Sequence, residues 1–237
     1  MTERLYWKDA YIKDFEASVV SAGPEGVVLD KTAFYPTGGG QANDTGELLV
    51  DGMPYKVDDV RKSGDDIVHI LDKSGDIKPG GRAIGKIDWK RRYSLMKYHT
   101  TIHILSSLVL KKYGGKSTGN MLYPDKAHID FDFPQLNREL GIKIVEETQS
   151  IIDEGHAVTS RLLAKEEAAS FPGLVRTQPG EELVKGLANI RIVEIEGVDL
   201  QADGGTHVRN TSEIGAIKLS SFENKGAHRK RIEIKIE

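Results

Sequence analysis

The chain has 237 residues, 38% of them hydrophobic and 29% charged, with a formal net charge of −3 and no cysteine. This is the balance of a folded protein rather than a disordered one. It excludes disulfide scaffolds, thiolate metal sites and cysteine nucleophiles, and fits a reducing compartment. Slight net acidity argues against nucleic-acid binding driven by bulk charge, so any such contact must come from local basic patches. The N-terminal Met1–Leu5 stretch lacks the apolar core of a signal peptide, and no apolar run approaches the roughly 20 residues of a membrane span. A cytoplasmic protein without membrane attachment is expected.

Residues 1 to about 90 read as short strands and turns. Leu5–Trp7, Ala17–Val20, Gly26–Leu29, Glu47–Val50, Tyr55–Val57 and Ile67–Leu71 are β-like runs. They are punctuated by Gly23–Pro24, Asp51–Gly52, Ser63–Gly64, Ser74–Gly75 and Pro79–Gly81. Strands at that spacing predict a small barrel or sandwich. Within them lies Phe34–Tyr35–Pro36–Thr37–Gly38–Gly39–Gly40–Gln41, whose glycines permit positive φ and close approach of a partner.

The character changes near Asp88–Trp89, which divides an N-terminal domain (1–90) from a second (91–237). Leu95, Tyr98, Ile102, Leu105 and Val109 form one stripe of a helix running from about Tyr93 to Tyr113. Ile104, Leu108 and Leu110 widen the stripe, as in a helix buried on several sides, and Gly114–Gly115 ends it. A loop through Ser117–Asn120 is expected next, then an alternating strand at Ala127–Phe133. A helix follows over Leu136–Ile151, closed by Gly155. Val158–Leu163 reads as extended and Ala164–Ser170 as a short helix stopped by Pro172–Gly173. Ile190–Ile195, Ile214–Leu219 and Arg231–Ile236 read as strands. Helices and strands without regular βαβ alternation predict an α+β fold.

Two stretches carry chemistry. His99 and His103 stand one helical turn apart at the edge of the apolar stripe, a spacing that lets both imidazoles reach one metal ion. Asp203 and His207 repeat the spacing in a glycine-rich loop behind a strand. Three imidazoles and a carboxylate make a four-coordinate set that suits zinc; without a thiolate, other first-row metals also fit. A zinc protease of the HExxH type is excluded, because Thr100 occupies the position of the catalytic glutamate.

Taken together, four motifs resemble those of the freestanding alanyl-tRNA editing proteins, the AlaX family, and of the editing domains of alanyl- and, more distantly, threonyl-tRNA synthetase. They are Phe34–Gln41 with Asp44 and Gly46; Arg92, Met96, His99–Thr100 and His103–Leu105; His128–Asp132; and Gly204–Val208 with Thr211 and Glu213–Gly215. The match spans nearly the whole chain and is specific. It implies an N-terminal β-barrel followed by an α+β editing domain, a zinc cofactor, and hydrolysis of the ester joining a wrong amino acid, chiefly serine, to the alanine tRNA; removal of glycine is left open. The length suits the medium-length form and leaves no room for an aminoacylation domain. One departure is Asp203, where the family pattern usually has cysteine; a carboxylate carries the same charge and ligates zinc at a similar distance.

The resemblance also directs attention to hydroxyls and basic clusters. Thr100, Thr101 and Thr206 lie beside the ligands, where they can read a serine side chain or pack within the fold. Gly39, Gly40 and Gln41 are expected to face the tRNA terminus or the metal pocket. Arg91 and Arg92, with Lys90, form one basic cluster for phosphate; Lys111–Lys112 with Lys116, and His228–Arg231, are others. His69 and His156 have no partner at ligand spacing and read as structural or exposed. The rival readings are a metallohydrolase for a small ester or amide and a tRNA-binding module without catalysis.

Overall fold

A computed structural model describes residues 1–73, 76–168, 170–171, 173–175 and 189–237. The turn expected at Ser74–Gly75, the stop at Pro172 and Ala169 of the expected short helix lie outside the described residues. The chain forms two compact units, Met1–Leu95 and Met96–Glu237, and the division falls inside a helix rather than ahead of it.

The first unit contains β1 (Glu3–Arg4), α1 (Leu5–Lys8), β2 (Asp14–Gly23), β3 (Gly26–Leu29), β4 (Lys31–Thr32), β5 (Gly46–Val50), β6 (Met53–Ser63), β7 (Asp66–Leu71) and β8 (Arg82–Ile87). Six of these strands close into a barrel in the order β2-β3-β7-β6-β5-β8, with β8 returning to β2 through Asp14↔Lys86 to Ser18↔Arg82. Closure leaves no barrel edge open for pairing with another chain. Alternation supplies the interior: Phe15, Ala17 and Val19 of β2 point inward with Val27, Leu29, Leu48, Val57 and Ile67. Phe15 packs over Gly85 so closely that a β-carbon at Gly85 would stand 2.3 Å from its ring. Leu5–Trp7, expected as a strand, is instead one helical turn, because Tyr6 is buried edge-on against Tyr35 at 5.3 Å.

The helix α2 spans Trp89–Leu108 and continues as a π-helical turn, Val109–Tyr113. Gly114 then ends it at φ 73°. In the second unit, the stripe Tyr98, Ile102, Leu105 and Val109 is buried, as is Ile104 on the flank.

The remaining elements are β9 (Lys116–Leu122), β10 (Ala127–Asp132), α3 (Arg138–Glu154), β11 (Val158–Ala164), α4 (Lys165–Ala168), β12 (Asn189–Ile195), β13 (Asp199–Ala202), β14 (Ile217–Asn224) and β15 (Arg229–Ile236). They build a four-stranded antiparallel sheet, β14-β15-β10-β9, and a three-stranded one, β11-β12-β13. The fold is α+β with an N-terminal barrel. Three expectations shift. Ser117–Asn120, expected as a loop, lies in β9, where pairing with β10 overrides its polar composition. Asp199–Ala202 is a strand that was not expected at all. The strand expected from Ile214 begins at Ile217, because Thr211–Glu213 first makes a 3-10 turn.

Candidate metal centre

His99 and His103 both project from α2, with His99 1% and His103 6% exposed. β12 and β13 form a hairpin that delivers the chain directly into the loop carrying Asp203 and His207. Arg191, buried in β12, clamps that loop: its Nη1 donates to the carbonyls of Asp203 and Gly205, each at 3.0 Å. The Asp203 N–H donates back to the Arg191 carbonyl at 3.0 Å, and the Gly205 N–H donates to Asp203 Oδ2 at 2.6 Å. Beyond His207, a capping box between Asn210 and Glu213 pins the exit of the loop.

Four ligand atoms, one each from His99, His103, Asp203 and His207, lie within 4.8 Å of one another. Asp203 Oδ2 is 3.0 Å from His207 Nε2, and Oδ1 is 3.5 Å from His99 Nε2. The His99 and His207 rings stack at 4.4 Å between centroids, and His103 meets them edge-on at 5.1 and 4.8 Å. Burial holds the His99 imidazole well below its usual 6.5 and takes His207 to about 4, against the pull of Asp203 in both cases. Burial alone would raise the Asp203 carboxyl, but His99 and His207 outweigh it and leave the group well below the usual carboxylate range. At neutral pH His99 and His207 therefore offer lone pairs and Asp203 a negative charge. That is the donor state a divalent cation requires, so the residues fit a metal ion.

The three hydroxyls beside the cluster differ in their surroundings. Thr100 is fully buried, and its hydroxyl donates to the Met96 carbonyl at 3.1 Å. The same oxygen accepts from the Val208 N–H at 3.3 Å and stands 3.2 Å from His207 Nδ1. With Thr100's own proton already used, its oxygen can accept from a His207 protonated on Nδ1, the tautomer that would turn Nε2, 3.0 Å from Asp203 Oδ2, toward a metal. Thr101 donates to the Lys97 carbonyl one turn back, at 2.8 Å. Both hydroxyls donate to backbone carbonyls one turn back within the helix. Thr206 is fully buried next to His207 in the loop.

Among the expected tRNA contacts, Gly39 and Gly40 take φ of 60° and 84° in a tight turn closed by reciprocal Gly38 and Gln41 backbone bonds. Positive φ at both central positions requires glycine there. Gln41 itself is 1% exposed, and Arg92 is fully buried. Arg92 is ion-paired to Asp44, which is equally buried, and donates to the Ala10 and Ala33 carbonyls. Both side chains are thus turned away from solvent. Arg91 is half-buried, with Nε donating to the Asn43 carbonyl at 2.8 Å.

Members of the other basic clusters have partners within the fold while Lys111, Lys112 and Arg229 stay exposed: Lys111 bonds the Val198 carbonyl, Lys112 bonds Glu147, and Arg229 and Arg231 both grip the buried Asp130. His69 is fully buried, between Thr32 Oγ1 at 2.8 Å and the Val27 carbonyl at 2.9 Å. Sequence reading missed Arg191, Asp199 and Gln201; the only signal for the last two was the alternation Asp–Leu–Gln–Ala ahead of Asp203.

Residues 8–91 match the family described as tRNA synthetases class II (A), and residues 190–233 match the threonyl and alanyl tRNA synthetase second additional domain. The chain is 42% identical over 234 residues to the alanyl-tRNA editing protein AlaX-M of Saccharolobus solfataricus, covering 98% of each. It is 39% identical to the protein of the same name from Methanosarcina mazei, covering 98% of this chain and 95% of that one. It is also 42% identical to the alanine–tRNA ligase of Ignicoccus hospitalis, over 93% of this chain but only 24% of the ligase. With this similarity running end to end and the metal-type cluster closing in space, the chain belongs to the AlaX-M family of alanyl-tRNA editing proteins.

Proposed function

We propose that the protein is a metal-dependent deacylase that frees alanine tRNA from serine, and also from glycine, while sparing correctly charged alanyl-tRNA. The observation that carries the reading is the convergence of His99, His103, Asp203 and His207 within 4.8 Å in a chain of this family. Editing of alanyl-tRNA, translation fidelity and a tRNA partner follow from family membership; the mischarged amino acids, zinc as the metal and a cytoplasmic setting are the finer part of the proposal. No helix among the described residues is long and apolar enough to cross a membrane.

The chain's own contribution is preorganisation. Asp203 and the imidazoles supply the donors, Arg191 and the Asn210–Glu213 cap fix the loop, and burial keeps His99 and His207 unprotonated. Bound there, a zinc ion supplies Lewis acidity and a fixed positive charge for an aminoacyl ester. The ester is already activated, so holding it in one orientation contributes much of the rate. Serine differs from alanine by one hydroxyl, and a site built to bond that hydroxyl discriminates strongly.

The test is deacylation of seryl-, glycyl- and alanyl-tRNA for alanine, with and without chelator. Rapid loss of serine and glycine, abolished by chelation and restored by zinc, supports the proposal. Rates equal to those without protein would favour a metallohydrolase for some other ester.

A further inference from the structure

A second carboxylate stands behind the ligand cluster. Asp199 and Gln201 are two apart on β13, so both project from the same face of the strand. Asp199 Oδ2 lies 3.1 Å from His103 Nδ1, with its side chain fully buried. The Gln201 side-chain amide donates to that same oxygen at 2.6 Å. Neither residue belongs to the set of four that offers ligand atoms.

A carboxylate only accepts, so the proton shared across the 3.1 Å contact belongs to the imidazole and sits on Nδ1. A neutral ring protonated at Nδ1 carries its lone pair on Nε2. We propose that Asp199, held by Gln201, is a positioning residue that fixes the tautomer and ring orientation of His103, so that Nε2 is presented to a metal. The inference rests on the metal reading of the site and adds to it an acceptor for a second ligand histidine. His207 has the neutral counterpart, the Thr100 hydroxyl at 3.2 Å from its Nδ1. The two rings are thus tuned unequally: an anionic acceptor makes the opposite nitrogen of His103 the more basic donor.

The experiment uses the full chain. Nitrogen-15 imidazole spectra of the metal-free protein report the tautomer of His103, and competition with a chelator gives zinc and cobalt(II) dissociation constants for wild type, Asp199→Asn and Gln201→Ala. The expected result is His103 protonated at Nδ1 in wild type and a mixture of tautomers in Asp199→Asn. Metal affinity should fall roughly 10–100-fold in Asp199→Asn and by less in Gln201→Ala. Melting temperatures identify any variant that fails to fold; the wild-type spectrum and the Gln201→Ala constant then carry the test.

A wild-type His103 carrying its proton on Nε2 would overturn the proposal, as would a folded Asp199→Asn binding both metals within about twofold of wild type. A wild type that binds neither metal would instead overturn the metal reading itself, so the two failures are told apart.

Discussion

Replacing Arg92 by methionine removes a guanidinium whose Nε donates to both Asp44 carboxylate oxygens, at 3.0 and 3.1 Å, and whose Nη1 bonds the Ala10 carbonyl at 2.8 Å. Methionine keeps most of the length but leaves the Asp44 carboxylate fully buried without its countercharge, still accepting from the Tyr35 N–H at 2.6 Å. Breaking one side of a buried ion pair costs about 3–5 kcal/mol, because the surviving charge loses its compensation. For a chain of this size that corresponds to a fall of roughly 6–20 °C in melting temperature. Removing both charges together, with Asp44→Leu in the Arg92→Met background, should recover part of the loss, since apolar replacement of a whole buried pair is close to neutral. Thermal melting of the three proteins, alongside tRNA binding measured where all are folded, makes the comparison. An Arg92→Met protein that melts within about 1 °C of wild type yet binds tRNA tenfold more weakly would refute the structural role and restore the phosphate contact read from the sequence.

Removing Asp203 as Asp203→Ala should lower metal content sharply in elemental analysis, since it deletes the one anionic donor of the cluster; full retained occupancy would contradict its place among the ligands. Thr100→Val should weaken metal binding about tenfold and slow all substrates alike, whereas Thr101→Val, losing only a bond to the Lys97 carbonyl, should leave serine-over-alanine selectivity unchanged. A change of selectivity in either variant, measured by parallel deacylation, would return that hydroxyl to substrate reading.

His69 is held at about 4, below its usual 6.5, by burial. Below pH 6.5 the unfolded chain takes up a proton that native His69 refuses, so stability falls as pH drops from 6.5 towards 4, by roughly 2–3 kcal/mol at pH 4.5. His69→Gln should remove that share of the slope between urea midpoints at pH 7 and pH 4.5; an unchanged slope counts against the assignment. Gly46→Ala should cost at least about 3 kcal/mol or abolish soluble expression, because its φ is 157° and a β-carbon would stand 2.1 Å from the Lys86 carbonyl oxygen. A soluble, equally stable variant would show that the barrel can relax at this seam.

What could be read in advance was whatever depends on local periodicity. Turn residues between β-rich runs announced a small barrel or sandwich, and the stripe from Tyr98 to Val109 announced a buried helix whose edge carried His99 and His103. The convergence of these with Asp203 and His207 was legible from spacing and glycine content. What was hidden depends on partners distant in sequence. A lysine–arginine run looks like a phosphate site until Asp44, far upstream, proves to neutralise Arg92. A polar Ser117–Asn120 looks like a loop until β10 pairs with it. Asp199 and Gln201 are too polar and the strand too short for periodicity to reveal, yet they stand behind His103.

The cluster's donors come from two places in the chain separated by about 100 residues, His103 at one end of the gap and Asp203 at the other. During ribosomal synthesis at roughly 5–20 residues per second, the helical half of the cluster waits about 5–20 s for its complement. In that interval a nascent polypeptide offers only two of the four donors. The complete set exists only after the hairpin and its loop have emerged and closed.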